Sequence, residues 1–325
     1  MDKVSVIICN YNQKAYLEQS VRSVLEQSYE NIELIVIDNG STDGSVDLLK
    51  SYSKHANVKL LLHEQNRKVT TRLNEAVRFA TGEFVSFLYA DDFYLPEFIE
   101  TQIREFAKLS SEYGVVYSPG IRLNEVSGQS WQSASLQDSG WIFNAILKNY
   151  YRIGYINPIS PLSRRKCLLE FPFRENVFQE AEIIYLRIAS KYKFQFVAEP
   201  LVVMREHENN LGKAIRRNSE CFFTNMRSLE SDGIPRGSEK LFRRFKAESW
   251  LNHGWQAIRM GENPQWSRDC FISAINCCPF YLVKPKIICG LLLSYLPTLL
   301  RMKINQIGYL VSRPKEIIKV RQSYA

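Results

Sequence analysis

Residues 86–96, SFLYADDFYLP, place two carboxylates, Asp91 and Asp92, directly after an apolar run, with Pro96 a few residues on. Paired carboxylates at a strand end are hard oxygen ligands for Mg²⁺ or Mn²⁺, and such a cation would in turn neutralise a diphosphate. A structural reading stands beside it: Asp92 would cap a helix that begins near Pro96. Polar clusters follow three earlier apolar runs as well, at Asn10, Tyr11 and Asn12, at Asp38, Asn39 and Gly40, and at Asn66 and Arg67. Amides, carboxylates and an aromatic on one rim could stack a base, hydrogen-bond a ribose and hold a cation.

Strands and helices must bring those clusters together. VSVIIC (4–9), ELIVID (33–38), VKLLLH (58–63) and EFVSFLY (83–89) are near-continuously apolar and predict strands covered on both faces. Between them AYLEQSVRSVLEQS, SVDLLKSYSK and TTRLNEAVRFAT have helical spacing, with Gly82 placed to stop the third. This βαβαβα order predicts an α/β fold, a doubly wound, mostly parallel sheet with helices on both faces. Such sheets bind ligands at the carboxyl ends of their strands. Further on, two helical stretches flank GENP (261–264) and predict a helical hairpin, in which Trp250, Trp255 and Trp266 are core rather than a sugar platform.

With 325 residues, 45% of them hydrophobic, the chain can bury a sizeable core and is not disordered. Seven cysteines without CxxC spacing, and an N-terminus that runs straight into a strand, predict a reduced, cytoplasmic compartment. The net charge of +8 is concentrated at the end: Lys284 to Ala325 hold eight Lys or Arg against Glu316 alone. That region includes IICGLLLSYLPTLL (287–300), interrupted by Pro297 and shorter than the roughly 20 residues of a spanning helix. It suits either a segment lying in the headgroup region of an anionic membrane or a helix packed on the main domain with a solvated basic face. No nucleic-acid-binding motif accompanies the charge.

The stretch VSVIICNYNQKAYLEQSVRSVLEQSYENIELIVIDNGSTDGS, followed by EQNRK, ATGEF and YADDFYLP, resembles family 2 of the glycosyltransferases, inverting enzymes of the GT-A fold. The resemblance extends weakly through residues 180–210. It implies a catalytic domain over 1–210 that binds a nucleotide-sugar, a UDP-sugar being the simplest case; beyond about residue 211 it gives out, and helical spacing and charge there predict a helical C-terminal region over 211–325 with the basic tail that could meet a membrane. Carried over by position, Asn10 and Tyr11 would wall the base, and Asp38 would contact the uracil or ribose. Asn66 and Arg72 would line the nucleotide side, while Asp91 would bind the divalent metal. Asp92 would sit against the donor sugar or behind the metal, and His207 would approach the diphosphate or metal. The acceptor would be a glycan or lipid-linked hydroxyl, in surface polysaccharide or glycolipid synthesis.

The chain departs from the family pattern where the general base is expected: QEAEIIYLRIA has Ala181 in that slot, flanked by Glu180 and Glu182. Residues two apart point in different directions on a helix, so one of the two at most would face the acceptor, Glu182 being the first choice. Tyr89 replaces an aspartate and Lys68 a glycine of the pattern, and the lysine could meet a diphosphate as a point charge. Two alternatives to the transferase stay open: a silent relative that binds nucleotide or glycan without turnover, and a nucleotidyltransferase, which the lack of a glycine-rich phosphate loop disfavours.

Overall fold

The computed structural model describes residues 1–180, 182–208, 210, 214–297 and 300; Ala181 and the basic residues after Leu300 lie outside them. The chain divides into two compact units, the first Met1–Asn210 and the second beginning at Leu211.

The first unit opens with β1 (Val4–Asn10), α1 (Lys14–Leu25), β2 (Ile32–Asn39), α2 (Ser45–Ser51), β3 (Val58–His63), α3 (Val69–Phe79) and β4 (Phe84–Tyr89). These are the elements that the periodicity predicts. It continues with β5 (Phe93–Tyr94), α4 (Phe98–Phe106), β6 (Tyr113–Tyr117), β7 (Gly120–Asn124), β8 (Ser130–Gln132), α5 (Phe143–Asn149), β9 (Leu162–Arg164), α6 (Arg165–Glu170), α7 (Ile183–Ala189), β10 (Lys193–Phe196) and β11 (Val202–Glu206). Seven strands form one sheet in the order β10-β6-β9-β4-β1-β2-β3. Its β4-β1-β2-β3 half is parallel, and helices cover both faces. Every residue of β2 is buried, as expected of a strand sandwiched between helical layers. The short β9 runs antiparallel to both its neighbours, β4 and β6. A second sheet, β5-β11-β7-β8, was not foreseen; its strands have two to five residues, too few for a readable period.

At the amino ends of the strands, Glu33 on β2 is a buried carboxylate fully enclosed by donors. It takes the Ser5 hydroxyl at 2.5 Å, the Thr81 backbone N–H at 2.6 Å and its hydroxyl at 2.8 Å, and the ammonium groups of Lys59 at 2.8 Å and Lys3 at 3.1 Å. Burial alone would raise its pKa; Lys59 and the Ser5 and Thr81 donors outweigh burial and hold it well below the usual carboxylate range. Gly82 belongs to this cluster. It does not end α3, whose C-cap is Ala80; instead, a Cβ at Gly82 would stand 2.7 Å from the Ser5 backbone nitrogen and 2.8 Å from the Lys3 carbonyl. Only a glycine lets the strand approach so closely, and its N–H then reaches Ser5 Oγ at 2.9 Å.

In the second unit, α8 (Ile215–Asp232), α9 (Glu239–Arg259), α10 (Pro264–Cys277) and α11 (Pro285–Ser294) are joined by short turns. Asn263 caps α10 by accepting the Gln265 N–H at 2.8 Å, with Pro264 at the first helical position, so GENP is the hairpin turn that its residues predict. Phe271 is wedged between two glycines: a Cβ on Gly254 of α9 would lie 2.7 Å from its ring, and one on Gly290 of α11 would lie 2.4 Å from it. Trp250 and Trp255 pack against this core, Trp250 stacked at 3.3 Å on Phe223.

Replacing Glu33 with Gln should destabilise the protein by about 2–3 kcal/mol, below the 3–5 of a fully buried pair because both lysines can turn to water. Since folded Glu33 holds its proton less tightly than the unfolded residue, its contribution is complete above a pH of about 4.3 and is lost as the pH falls below that. Urea denaturation of the two proteins at pH 7 and in the acid range checks this; a gap that persists unchanged into acid would contradict the assignment.

Candidate active site at the carboxyl edge of the sheet

The loops after β1 and β2 are locked to each other by side chains. Asp38 Oδ2 accepts from Asn10 Nδ2 at 2.7 Å, and Asp38 Oδ1 accepts the N–H groups of Gly40 at 3.2 Å and Ser41 at 2.8 Å. Asn12, in the left-handed region at φ 53°, accepts the Thr42 N–H at 2.8 Å. Asn10 is wholly buried, and its Oδ1 has no hydrogen-bond partner within the protein. Tyr11, next in the chain, is 45% exposed on the rim.

The second and third loops are tied by a residue that the sequence reading noted without giving it a role. Asn39 Oδ1 accepts from the Arg67 N–H at 3.0 Å and from Arg72 Nε at 2.8 Å, while its Nδ2 donates to Asn66 Oδ1 and the Arg67 carbonyl, both at 2.8 Å. Arg72 is buried and also donates to the Gln65 carbonyl at 2.8 Å and pairs with Glu75 at 3.2 Å. The structure thus places Arg72 inside the loop scaffold, with Asn66 held on the exposed side of it. Lys68 Nζ donates to the Glu175 carbonyl at 2.9 Å.

The small second sheet assembles the carboxylate pair. β5 runs antiparallel to β11, Phe93 opposite Val203, which carries Asp92 and Asp91 on toward Arg205 and His207. The Arg205 N–H donates to Asp92 Oδ1 at 2.9 Å, and its guanidinium donates to the Asp91 carbonyl at 2.7 Å and to Gln19, and pairs with Glu125 at 2.6 Å. Asp92 therefore does not cap a helix: α4 begins at Phe98 with no side-chain cap, and the Asp92 carboxylate is spent on β11. Burial, then the charge of Asp91, push the Asp92 carboxyl well above its ordinary value, against the Arg205 N–H and guanidinium. His207 Nε2 lies 3.1 Å from Asp91 Oδ2, with its ring stacked on Tyr16 at 4.8 Å.

Among the described residues no three His, Cys, Asp or Glu side chains are gathered as a metal cage. Asp91 and His207 form a pair, and a pair fits a cation whose remaining positions are filled by substrate phosphate and water, the usual arrangement for Mg²⁺.

The two glutamates beside Ala181 have separate fates. Glu180 is buried, pairs with Arg187 at 2.9 Å and accepts the Arg174 N–H at 2.9 Å. Arg187 stands on α7, and the pair neutralises this carboxylate. Glu182 instead accepts from the Tyr150 hydroxyl. Burial pushes its carboxyl above the usual range, while the Tyr150 hydrogen bond opposes that rise. Tyr150 stacks on Tyr155 at 5.2 Å, and both phenols feel the Glu182 charge, as does Tyr89. Arg205, Tyr16, Tyr150 and Tyr155 are site residues that the sequence reading missed. Their only trace in the sequence is residue type.

The sequence model of Glycosyl transferase family 2 matches residues 5–163. An uncharacterized glycosyltransferase of Nostoc sp. is 37% identical over 228 residues, 67% of this chain and 69% of that protein. The putative glycosyltransferase EpsE of Bacillus subtilis is 37% identical over 116 residues, which are 35% of this chain and 41% of EpsE. The match thus spans well under half the length of EpsE. Among solved structures, residues 1–349 of S. aureus TarS in complex with UDP-GlcNAc superpose with a TM-score of 0.66 at 16% identity, over 94% of this chain and 92% of that one. The mannosyltransferase PcManGT of Pyrobaculum calidifontis, in complex with GDP-Man and Mn²⁺, gives 0.58 at 15% identity, over 94% and 87%. The fold is that of the GT-A glycosyltransferases. The chain belongs to glycosyltransferase family 2.

Replacing Asn39 with Ala removes four hydrogen bonds at one buried site and should destabilise the protein by about 2–4 kcal/mol. Hydrogen exchange should quicken first in residues 64–68; a uniform change across the first unit would argue against a local tie.

Proposed function

We propose that this chain is an inverting glycosyltransferase that moves a sugar from a nucleotide-activated donor, in the simplest case a UDP-sugar, to a hydroxyl of a glycan or lipid-linked acceptor. The setting is the synthesis of a surface polysaccharide or glycolipid on the cytoplasmic side. The observation that carries the reading is the Asp91 carboxylate 3.1 Å from the His207 imidazole on the rim that also holds Asn10 and Asp38. Asp91 and His207 are the groups that would hold Mg²⁺ or Mn²⁺, and the bound cation would supply stabilisation for negative charge on the departing diphosphate.

The orphaned Oδ1 of Asn10 supports a ligand with an N–H donor, such as a nucleobase, because a buried acceptor left unpaired costs about 1–3 kcal/mol. Asp92 fixes the course of the chain between Asp91 and the donor side through its bond to Arg205. Glu182 is the base in this reading. Its raised proton affinity suits it to accept the proton of the attacking hydroxyl near neutral pH, and Tyr150 orients its carboxylate. Two distant structural neighbours, one in complex with UDP-GlcNAc and one with GDP-Man and Mn²⁺, make uridine and guanosine nucleotides the first to try. One observation favours the silent relative instead: both flanking carboxylates already have a protein partner, Glu180 the Arg187 guanidinium and Glu182 the Tyr150 hydroxyl.

Calorimetric titration with UDP, dTDP and GDP, each with and without Mn²⁺, should show metal-dependent binding of one nucleotide, weakened at least tenfold by Asp91→Asn; no binding of any of them would sink the reading. Glu182→Gln should leave that binding intact and lower kcat by about 10²–10⁴. Removing the Tyr150 hydroxyl in Tyr150→Phe removes a bond that favours the ionised carboxylate, so the acidic limb of the rate profile should move to higher pH. A limb that stays in place means that another group titrates, and nucleotide binding without release of nucleoside diphosphate from any donor would favour the silent relative.

A further inference from the structure

The second unit turns an apolar face outward. On α11, Ile287, Gly290 and Ser294 are buried at helical spacing, with Gly290 against Phe271. The opposite side of the helix carries Ile288, Cys289 and Leu292, continued by Tyr295, all exposed and none of them charged. The 3₁₀ turn Pro279–Val283 just before it adds Phe280, Leu282 and Val283. Phe280 is 73% exposed, Leu292 66% and Tyr295 74%. Scattered exposed apolar residues need no explanation, but six large ones within sixteen residues of chain form a patch of the kind that marks an interaction site.

Charge decides between occupants. The exposed Lys286 lies between the two halves of the patch, beside Lys284, whose ammonium is paired with Glu248 at 3.5 Å; Arg268 stacks on Tyr295 at 4.7 Å, and the sequence after Leu300 adds six Lys or Arg against one Glu. Among the described residues no helix is long and apolar enough to cross a membrane, and α11, at ten residues, is about half a span. Large apolar side chains with cations at their margin, on a helix too short to insert, match a bilayer interface rich in anionic lipid.

We infer that this face seats on an anionic lipid bilayer, with Phe280, Leu282, Val283, Ile288, Leu292 and Tyr295 entering the boundary between headgroups and acyl chains and Lys286 on the lipid phosphates. The inference concerns the second unit alone and stands whether or not the first unit transfers a sugar.

Sedimentation of the full chain with vesicles of phosphatidylcholine, alone or with a third phosphatidylglycerol, tests it. The protein should pellet with the anionic vesicles and be released by salt. Phe280→Glu with Leu292→Glu, at positions too exposed to disturb folding, should weaken partitioning more than tenfold, and Lys286→Gln by about fivefold. A protein that stays in the supernatant with both vesicles overturns the inference. So does undiminished binding of the double glutamate variant, which would leave the tail charges as the sole contact. A lipid-free dimer that the double variant dissolves would overturn it too, by making a second copy the occupant.

Discussion

Two adjacent carboxylates at the end of a buried strand are tolerable only if donors and positive charge face them. Here they come from 113 residues further along the chain, through the antiparallel pairing of β5 with β11. That pairing sets the Arg205 N–H on Asp92, its guanidinium on the Asp91 carbonyl, and His207 on the Asp91 carboxylate. A slip of one residue would turn alternate side chains to the other face, and Arg205 would leave the carboxylate pair. The two residues of β5 thus set the position of the whole carboxylate site.

The rim divides into groups that build loops and groups left for a ligand. Asp38, Asn39 and Arg72 have their polar atoms committed to neighbouring loops, which holds the strand ends in one arrangement. Asn10 Oδ1, the exposed Tyr11, and the Asp91–His207 pair are what that arrangement presents. Preorganisation of this kind is what catalysis by positioning requires, since the loops need not be ordered again when substrate arrives.

Buried charge is handled in opposite ways at the two ends of the sheet. At the amino ends, Glu33 is surrounded by lysines and donors, so its ionised form is favoured and it holds β1, β2 and the segment before β4 together. At the carboxyl ends, burial dominates at Asp92 and Glu182, and their ionised forms are disfavoured. One end is built for stability; the other keeps carboxylates that a cation or a proton can still influence. In the second unit the same logic of contact acts on apolar groups. Gly290 lets α11 approach Phe271 closely, with Ile287 and Ser294 buried on the same side, while Ile288, Leu292 and the adjoining Tyr295 stay outside.

The sequence by itself determined the parallel half of the sheet and its helices, because long apolar runs and helical periodicity are local properties that packing then only confirms. The order of its motifs likewise identified the family, and Asn263 with Pro264 marked the hairpin turn. Tertiary structure alone decided the second sheet, whose strands are too short to carry a pattern. It also decided that Gly82 serves a close approach rather than a helix end, and that Arg72 is committed to the loop scaffold. Glu180 and Glu182 stand two residues apart and are chemically alike in the sequence. What separates them is that one meets Arg187 and the other Tyr150, since the chemistry of a carboxylate is set by its burial and its partners, which only the folded chain supplies.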